Sequence, residues 1–292
     1  MTRVAYSIFA CFGRPITVVK LNTLNSLLAG TLFIPVAVLA TDAHTTANKI
    51  KVVSTEQIEW GYLNPARGDK SPRAANLWGD RTGSGATGML VRFEPGFSSP
   101  PHIHNVSYRG IVIEGSLHND DPTAKAMWMP SGSFWTQPAG EDHITSANAP
   151  ANMIYLEIDS GPYLVKPSAQ QFDNGERPVN LHYSNLTWLD QSTSTQLVGN
   201  GIEMANLWQK DSLSGVLLRL PANIKMTLSS EGTEFKAVMI QGQLNFEREN
   251  ARQMLHAGSF VTAHQPVDMS FSADQQVLLY VRTNAAFKAM AE

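Results

Sequence analysis

An internal duplication constrains the fold of this chain more than any other feature of its sequence. The tetrapeptide Ala-Asn-Leu-Trp occurs at residues 75–78 and again at residues 205–208. Four further pairs of similar segments follow in the same order and at a nearly constant offset. These pairs are Gly88–Arg92 with Gly215–Arg219, Ile113–Leu117 with Ile240–Leu244, Gly132–Thr136 with Gly258–Thr262, and Tyr155 with Tyr280. Such a repeat predicts two copies of one domain.

Each copy consists of short apolar or alternating runs separated by turn residues. Examples are MLVRF and NMIYLEI in the first copy and VLLRL and QVLLYVR in the second. Runs of this length at regular spacing predict an all-β sandwich or barrel with few helices. We place the two domains at residues 50–160 and 181–288. Three prolines between them predict a linker over residues 161–180.

The first forty residues have the features of an export signal. They contain three basic residues and no acidic residue, followed by the apolar run LLAGTLFIPVAVLA, which ends at Ala40. This run is too short to span a bilayer but suits the apolar region of a signal peptide. We therefore predict a signal peptide over residues 1–40 and a periplasmic or secreted mature protein with no remaining membrane segment.

Charge and cysteine content exclude several classes of function. The formal net charge is −3, so the chain lacks the basic surface of a nucleic-acid-binding protein. Cleavage of the signal would also remove Cys11, the only cysteine. A cysteine nucleophile and a thiolate metal site are then both ruled out. Any metal would be held by histidine, carboxylate or water.

The residues that carry chemistry lie in the first copy. His102 and His104 are two positions apart on a predicted strand, so their side chains share one face. Gly96 precedes His102 with five intervening residues, and Tyr108 and Gly115 follow at fixed intervals. A later segment, Gly132–His143, supplies a third imidazole after a Pro-x-Gly turn. These spacings resemble the two motifs of the cupin superfamily, G-x5-H-x-H-x3,4-E-x6-G and G-x5-P-x-G-x2-H-x3-N.

The resemblance implies two tandem cupin-type β-barrels of the jelly-roll class, as in secreted bacterial proteins of a duplicated-cupin domain family of unknown function. It also implies that His102, His104 and His143 bind one divalent metal. Tyr108 stands where cupins usually have a ligating Glu, and Ala147 where they often have Asn. Three imidazoles without a carboxylate favour Zn or Fe(II), and Mn, Ni and Cu remain compatible.

Tyr108 is the candidate catalytic residue. Its phenol could hydrogen-bond to water on the metal or to a substrate oxygen, or its ring could simply fill the space of the absent Glu. For three polar residues nearby, Arg109, Glu114 and His118, solvated surface positions are favoured over the barrel mouth. One of the turn acids Glu141 and Asp142 could orient the imidazole of His143.

The second copy lacks the metal ligands. The repeat aligns His102, His104 and His143 with Ser229, Glu231 and Met269. His256 and His264 lie outside the motif positions and are expected to be ordinary side chains. We expect this copy to contribute packing, a lid or a dimer contact, so a homodimer is one expected assembly.

Two classes of function fit this sequence. The first is an exported metal enzyme that acts on a small organic molecule, with either oxygenase or hydrolase and isomerase chemistry. The second is a metal-dependent binding or sensing protein without turnover. Cupins include both classes, so the fold does not choose between them. The sequence leaves the metal, the substrate and the reaction type open.

Overall fold

A computed structural model describes residues 50–248 and 251–292, and they form part of one compact unit. The predicted signal peptide lies outside the described residues. The strands of the N-terminal half are β1 (Ile50–Val53), β2 (Gly61–Tyr62), β3 (Arg73–Trp78), β4 (Thr87–Phe93), β5 (His102–His104), β6 (Tyr108–Glu114), β7 (Ser116–Asp120), β8 (Met129–Pro130), β9 (Phe134–Gln137), β10 (Ile144–Ala147), β11 (Asn152–Ile158), β12 (Val165–Pro167) and β13 (Val179–Leu181).

The C-terminal half repeats this pattern with longer strands. They are β14 (Leu197–Val198), β15 (Glu203–Lys210), β16 (Leu213–Leu220), β17 (Ile224–Ser230), β18 (Phe235–Gln241), β19 (Gln243–Arg248), β20 (Ala251–His256), β21 (Phe260–Ala263), β22 (Val267–Ala273), β23 (Val277–Thr283) and β24 (Phe287–Ala291). The described helices are short 3-10 segments at Thr55–Gln57, Pro65–Lys70, Ser168–Gln170 and Tyr183–Asn185. The prediction of an all-β chain with few helices is confirmed.

The strands form five sheets. In the N-terminal half, a seven-stranded sheet has the order β13-β9-β6-β11-β4-β3-β2, with two smaller sheets, β10-β7-β8 and β12-β5. In the C-terminal half, two six-stranded sheets have the orders β1-β21-β18-β23-β16-β15 and β14-β24-β17-β22-β19-β20. All described strand pairs are antiparallel except β14 with β24. Antiparallel neighbours of this kind can be connected by short turns, which the Gly and Pro content favours.

One strand of the N-terminal half belongs to a sheet of the C-terminal half. β1 is the first strand of the predicted N-terminal domain, but it pairs with β21 of the second copy. β13 begins inside the segment predicted as a linker and pairs with β9 of the first copy. The predicted linker also contains β12, which pairs with β5, the strand that carries two candidate ligands. Pro167 is tolerated in β12 because this strand lies at a sheet edge, where a missing N–H breaks no ladder.

Three apolar cores separate the sheets. One lies between the seven-stranded sheet and the small three-stranded sheet, and a second lies between the two six-stranded sheets. The third joins the seven-stranded sheet of the N-terminal half to the six-stranded sheet that contains β16 and β23. The seven-stranded sheet is therefore buried on both faces. This explains why its central strands are almost continuously apolar rather than alternating.

Strand alternation assigns neighbouring residues of β6 to different cores. Tyr108 and Val112 face the first core, whereas Ile111 and Ile113 face the core shared by the two halves. Arg109 also points toward the shared side, since side chains alternate across a strand. Gly110 provides space for Trp135, because a Cβ at this glycine would lie 2.4 Å from the indole ring. One strand thus serves the candidate site and the contact between the halves.

Candidate metal centre

Backbone pairing brings the three motif histidines together. His102 and His143 face each other in an antiparallel bridge, with both N–H to O distances at 3.0 Å. His104 lies two residues along β5 on the same face, and its carbonyl accepts a hydrogen bond from the N–H of Gly140 at 2.8 Å. One nitrogen from each imidazole lies within 4.8 Å of the other two. The predicted convergence of the three side chains is therefore present.

The outer ring nitrogen of each imidazole is held by a backbone carbonyl. The Nδ1 atoms of His102, His104 and His143 lie 2.9, 3.1 and 3.0 Å from the carbonyl oxygens of Pro100, Leu164 and Glu141, respectively. A carbonyl can only accept, so each Nδ1 carries the proton and donates it. The three Nε2 atoms then have free lone pairs. This is the tautomer that a metal site requires.

Burial keeps the three rings neutral. It lowers the pKa of His143 from its ordinary value of 6.5 to about 3, with the charge of His102 as a smaller cause. Burial also lowers the pKa of His102 and, together with the neighbouring imidazoles, places that of His104 well below its usual range. A protonated imidazole cannot ligate a metal. The three rings are therefore in the ligating form at neutral pH.

Tyr108 lies beside this cluster rather than at the surface. Its hydroxyl is 3.3 Å from Nε2 of His143 and donates a hydrogen bond to Oδ1 of Asn119 at 3.1 Å. The side chain of Asn119 is fixed in turn by Gln137 and Thr145, at 2.9 and 2.7 Å. Burial raises the pKa of Tyr108 above its ordinary value, so the phenol stays protonated. The ring occupies the interior, and its oxygen faces the site.

A second phenol, which the sequence interpretation did not identify, comes from the predicted linker. The hydroxyl of Tyr163 lies 3.2 Å from Nε2 of His104, and its ring stacks on that imidazole with centroids 4.3 Å apart. The same segment supplies the carbonyl of Leu164 that holds Nδ1 of His104. No local pattern could have revealed this contact, because the two residues are 59 positions apart.

The other polar residues near the motif have different roles from those expected. Arg109 is not solvated, because it lies between the two halves and pairs with Glu157 and Asp159. His118 is buried against Trp128, with ring centroids 5.9 Å apart, and only Glu114 is exposed as expected. His143 is oriented by the backbone carbonyl of Glu141 and not by a turn carboxylate.

The corresponding region of the second copy is a filled core. Met269 is 1% exposed and packs with the apolar side chains between the two six-stranded sheets. Ser229 lies on β17 opposite Asp268 of β22. Across residues 50–248 and 251–292, the three motif histidines form the one group of His, Cys, Asp or Glu side chains close enough to share a metal, and it excludes His256 and His264.

A cavity opens beside the histidine cluster, and His102 and His104 are among the residues that line it. The volume open to the centres of water-sized molecules is about 80 Å³. By the same measure, one water needs roughly 10–15 Å³. The cavity therefore has room for several waters or a small organic molecule. Its walls are mainly apolar and aromatic. The residues that line it, apart from the histidines, are Leu63, Asn64, Arg67, Pro72, Val91, Phe93, Phe97, Ser99, Pro100, Tyr108, Asn119, Trp135, Thr145, Ile154, Leu156, Tyr163 and Val165.

This donor set fits a transition metal. Three neutral imidazole nitrogens suit Zn, Fe, Cu and Ni, whereas Mg and Ca prefer oxygen ligands. No carboxylate lines the cavity, so three protein ligands leave coordination positions open toward it. Catalytic zinc sites have such open positions, whereas structural zinc sites are closed by four protein ligands.

Comparison with protein families and solved structures gives a consistent result. The model of a domain of unknown function, DUF4437, matches residues 51–290 of this chain. No curated protein sequence matches it. Within the described part of the chain, no helix has the length and apolar character that a membrane crossing requires.

Three solved structures illustrate the fold similarity. A candidate dioxygenase from Nostoc punctiforme PCC 73102 is 15% identical with a TM-score of 0.62, over 82% of this chain and 83% of that protein. Salicylate 1,2-dioxygenase from Pseudoaminobacter salicylatoxidans, in complex with gentisate, is 14% identical with a TM-score of 0.55, over 83% and 85%. Oxalate decarboxylase from Lactobacillus farciminis, in a formate complex, is 10% identical with a TM-score of 0.55, over 86% and 90%. These similarities show that the chain shares its fold with these three proteins.

Proposed function

The chain belongs to the DUF4437 family, and we propose that it is a metal-dependent enzyme that acts on a small organic molecule at the three-histidine centre. One observation carries this proposal. Three neutral imidazoles, each held at Nδ1 by a backbone carbonyl, bring one ring nitrogen apiece within 4.8 Å of the other two, and two of these rings line a cavity of small-molecule size. A purely structural site has no need of a cavity beside it.

The protein contributes three things to such a reaction: metal ligands, hydrogen-bond donors and apolar walls. His102, His104 and His143 would hold the metal. Bound iron would supply redox chemistry toward O2, whereas bound zinc would supply a Lewis acid without redox chemistry. The phenols of Tyr108 and Tyr163 place O–H donors next to two of the ligating nitrogens, where they can orient a substrate oxygen. The apolar walls exclude bulk water and strengthen these hydrogen bonds.

Iron and oxygenase chemistry are favoured over zinc and hydrolysis. Two of the structural neighbours are named as dioxygenases, and one of them was solved with gentisate. Both similarities span more than four fifths of this chain. At this level of identity the neighbours support only the fold. We extend oxygenase chemistry to this chain because its site has the imidazole nitrogens that could hold iron.

We extend the proposal to the whole chain. Two tandem cupin-type barrels are proposed, one metal-bearing and one degenerate, with one metal per chain. Residues 1–40 are proposed to direct export and to be removed, so that the mature amino terminus lies within a few residues of Thr41. An intact-mass measurement of exported protein tests this, and recovery of the full chain of 292 residues in the cytosol would refute it.

Reconstitution with defined metals tests the enzymatic function. The metal-free chain is loaded separately with Fe(II) and Zn(II), and elemental analysis is expected to give about one equivalent per chain. Oxygen uptake is then measured with small hydroxylated aromatic compounds, and hydrolysis is measured with esters and lactones. We expect oxygen uptake with the iron form alone. The matched controls are His104→Ala, expected to be inactive, and His264→Ala, expected to be active.

Two results would overturn the proposal. Failure of the wild-type chain to retain any of the tested metals would remove the centre itself. Tight, metal-dependent binding of a small ligand without turnover by either metal form would identify a binding or sensing protein instead of an enzyme.

A further inference from the structure

The cavity beside the metal centre contains a single cationic side chain. Among its lining residues, Arg67 is the only Lys or Arg, and no Asp or Glu is present. Arg67 lies on the 3-10 helix Pro65–Lys70, at the exposed side of the cavity. The start of this helix is fixed by Asn64, whose side-chain oxygen accepts a hydrogen bond from the N–H of Ala66 at 3.1 Å. The guanidinium is therefore mounted on an ordered turn.

Arg67 also lacks a side-chain partner among the residues that the structure describes. Its guanidinium makes no ion pair or side-chain hydrogen bond with any of the residues that the structure describes, in contrast to Arg73 on the next strand, which pairs with Asp69.

The remaining walls determine what kind of anion fits. Phe93 and Phe97 pack against each other with ring centroids 5.1 Å apart, and together with Leu156 and Trp135 they line the same space. Such walls favour an organic body rather than a hydrated inorganic ion. A single guanidinium balances one negative charge and can contact a carboxylate through two parallel N–H groups.

We propose that the substrate of this centre is a small organic carboxylate, and that Arg67 determines this specificity by pairing with the carboxylate group. This inference rests on the proposed function, because it assigns the substrate class of the same site. Arg67 lies at the mouth and the imidazoles lie deeper in the cavity. The molecule would therefore extend from the guanidinium toward the metal, with its apolar part against the aromatic wall.

The test uses two probes that differ mainly in charge. Salicylate carries a carboxylate, whereas salicylamide has nearly the same shape and is neutral. Each is titrated into the cobalt(II)-loaded chain, and binding is followed through the visible absorption of the cobalt. We expect the wild-type chain to bind salicylate at least tenfold more tightly than salicylamide. Raising the ionic strength should weaken salicylate binding alone, because salt screens a partly exposed charge pair.

Substitution of Arg67 tests whether the charge of its side chain is responsible for the binding of salicylate. Arg67→Gln should weaken salicylate binding about tenfold and leave salicylamide binding unchanged, and Arg67→Lys should restore part of the affinity for salicylate. Arg252→Gln, a matched change on the exposed strand β20 of the other half, should have no effect on either probe. The cobalt content is measured for every variant and should remain near one equivalent.

The outcomes distinguish this inference from the proposed function. Equal affinity of the wild-type chain for the two probes, or unchanged salicylate binding by Arg67→Gln with cobalt retained, would refute the role of Arg67 and leave the metal centre intact. Loss of cobalt from the wild-type chain would refute the metal centre on which the inference rests. Binding of inorganic sulfate as tightly as salicylate would show an anion site without selectivity for organic carboxylates.

Discussion

Each imidazole of the metal centre is oriented by the backbone and not by another charged side chain. The carbonyls that accept from the three Nδ1–H groups belong to Pro100 just before β5, to Glu141 in the turn before His143 and to Leu164 just before β12. A carbonyl dipole fixes the tautomer without adding negative charge to the ligand set. The total charge at the site is then set by the metal itself, which leaves the centre attractive to an anionic ligand.

Single substitutions of the ligands should remove the metal. His102→Ala, His104→Ala or His143→Ala should each lower the metal affinity about tenfold or more, because among the described residues these are the rings that converge within 4.8 Å. His256→Ala and His264→Ala should keep about one equivalent per chain. Elemental analysis after dialysis measures this, and full occupancy in all three ligand variants would refute the assignment.

The buried imidazole of His143 should make the metal-free chain less stable in acid. Burial depresses its folded-state pKa from 6.5 to about 3. Between these values the unfolded chain binds a proton that the native chain excludes, so the free energy of unfolding falls as the pH falls. The slope contributed by one such group is about 1.4 kcal/mol per pH unit.

The comparison with His143→Gln isolates this contribution from that of the carboxylates, which also titrate in acid. Urea unfolding of both metal-free chains between pH 7 and pH 4 should show a steeper loss of stability for the wild-type chain. The glutamine side chain does not titrate, so the variant lacks this contribution to the pH dependence of stability. Parallel stability curves for the two chains would mean that His143 is protonated in the native state.

At the scale of secondary structure, strand β12 closes one side of the metal centre. It pairs with β5 in an antiparallel register that places Val165 opposite His104. Asn105 ties the two strands together. Its Nδ2 donates to the carbonyl of Pro162 at 2.9 Å, and its Oδ1 accepts from the N–H of Leu164 at 2.9 Å. Tyr163 lies between these two bonds, so its position next to His104 depends on them.

Removal of the two Asn105 hydrogen bonds should make β12 more mobile without unfolding the chain. Asn105→Ala deletes two hydrogen bonds to the backbone, which costs about 1–3 kcal/mol of local stability. Amide hydrogen exchange over residues 162–167 should accelerate, while the metal content should change little because the three ligands remain. If the protein is an enzyme, turnover should fall as Tyr163 loses its fixed position.

A matched control exists in the second half. Asn284 holds the loop at residues 232–234 with the same kind of bonds, from the N–H groups of Thr233 and Glu234 at 3.1 and 3.0 Å. Asn284→Ala should accelerate exchange in that loop and leave residues 162–167 unchanged. Unchanged exchange over residues 162–167 in Asn105→Ala would show that the paired strands are held by their ladder alone.

At the scale of the whole molecule, a buried carboxylate joins the two halves of the repeat. Glu157 is 1% exposed and pairs with Arg109 of the first half and Arg282 of the second. It also accepts hydrogen bonds from the hydroxyls of Tyr155 and Tyr280, at 2.8 and 3.0 Å. Both oxygens of the carboxylate therefore accept hydrogen bonds, and the donors come from both halves.

Neutralising this carboxylate should destabilise the whole chain. Glu157→Gln leaves two buried guanidinium groups with less negative charge, and breaking a buried pair in this way costs about 3–5 kcal/mol. Glu247→Gln is the matched control, because it removes an exposed pair with Arg252 that is worth about 0–1 kcal/mol. Urea unfolding measures both. Equal small effects would show that the two halves are held together by apolar packing alone.

An equivalent Trp–Tyr hydrogen bond in each half adds to the contact between the two halves. The indole N–H of Trp78 donates to the hydroxyl of Tyr155 at 3.1 Å, and that of Trp208 donates to Tyr280 at 3.0 Å. Each indole lies over a glycine, Gly88 or Gly215, where a Cβ would approach the ring within about 2 Å. The Ala-Asn-Leu-Trp repeat therefore marks residues that pack the two copies against each other.

The sequence by itself determined the duplication, the all-β class and the three-histidine cluster. Strand alternation places His102 and His104 on one face, and the resemblance of the two motifs to those of cupins implies that His143 joins them. The alignment of the two copies also indicated which copy lost its ligands, since aligned positions of a repeat occupy equivalent places in the fold.

Only the tertiary structure decided which other side chains complete the site. Tyr163 comes from a segment that the prolines suggested was a linker, and Arg67 comes from a short helix with no motif. Arg109 was expected at the surface, but alternation along β6 directs it toward the second half, where Glu157 compensates its charge. Contacts of this kind join residues that are far apart in the chain, and their partners are chosen by packing between sheets, which no local spacing encodes.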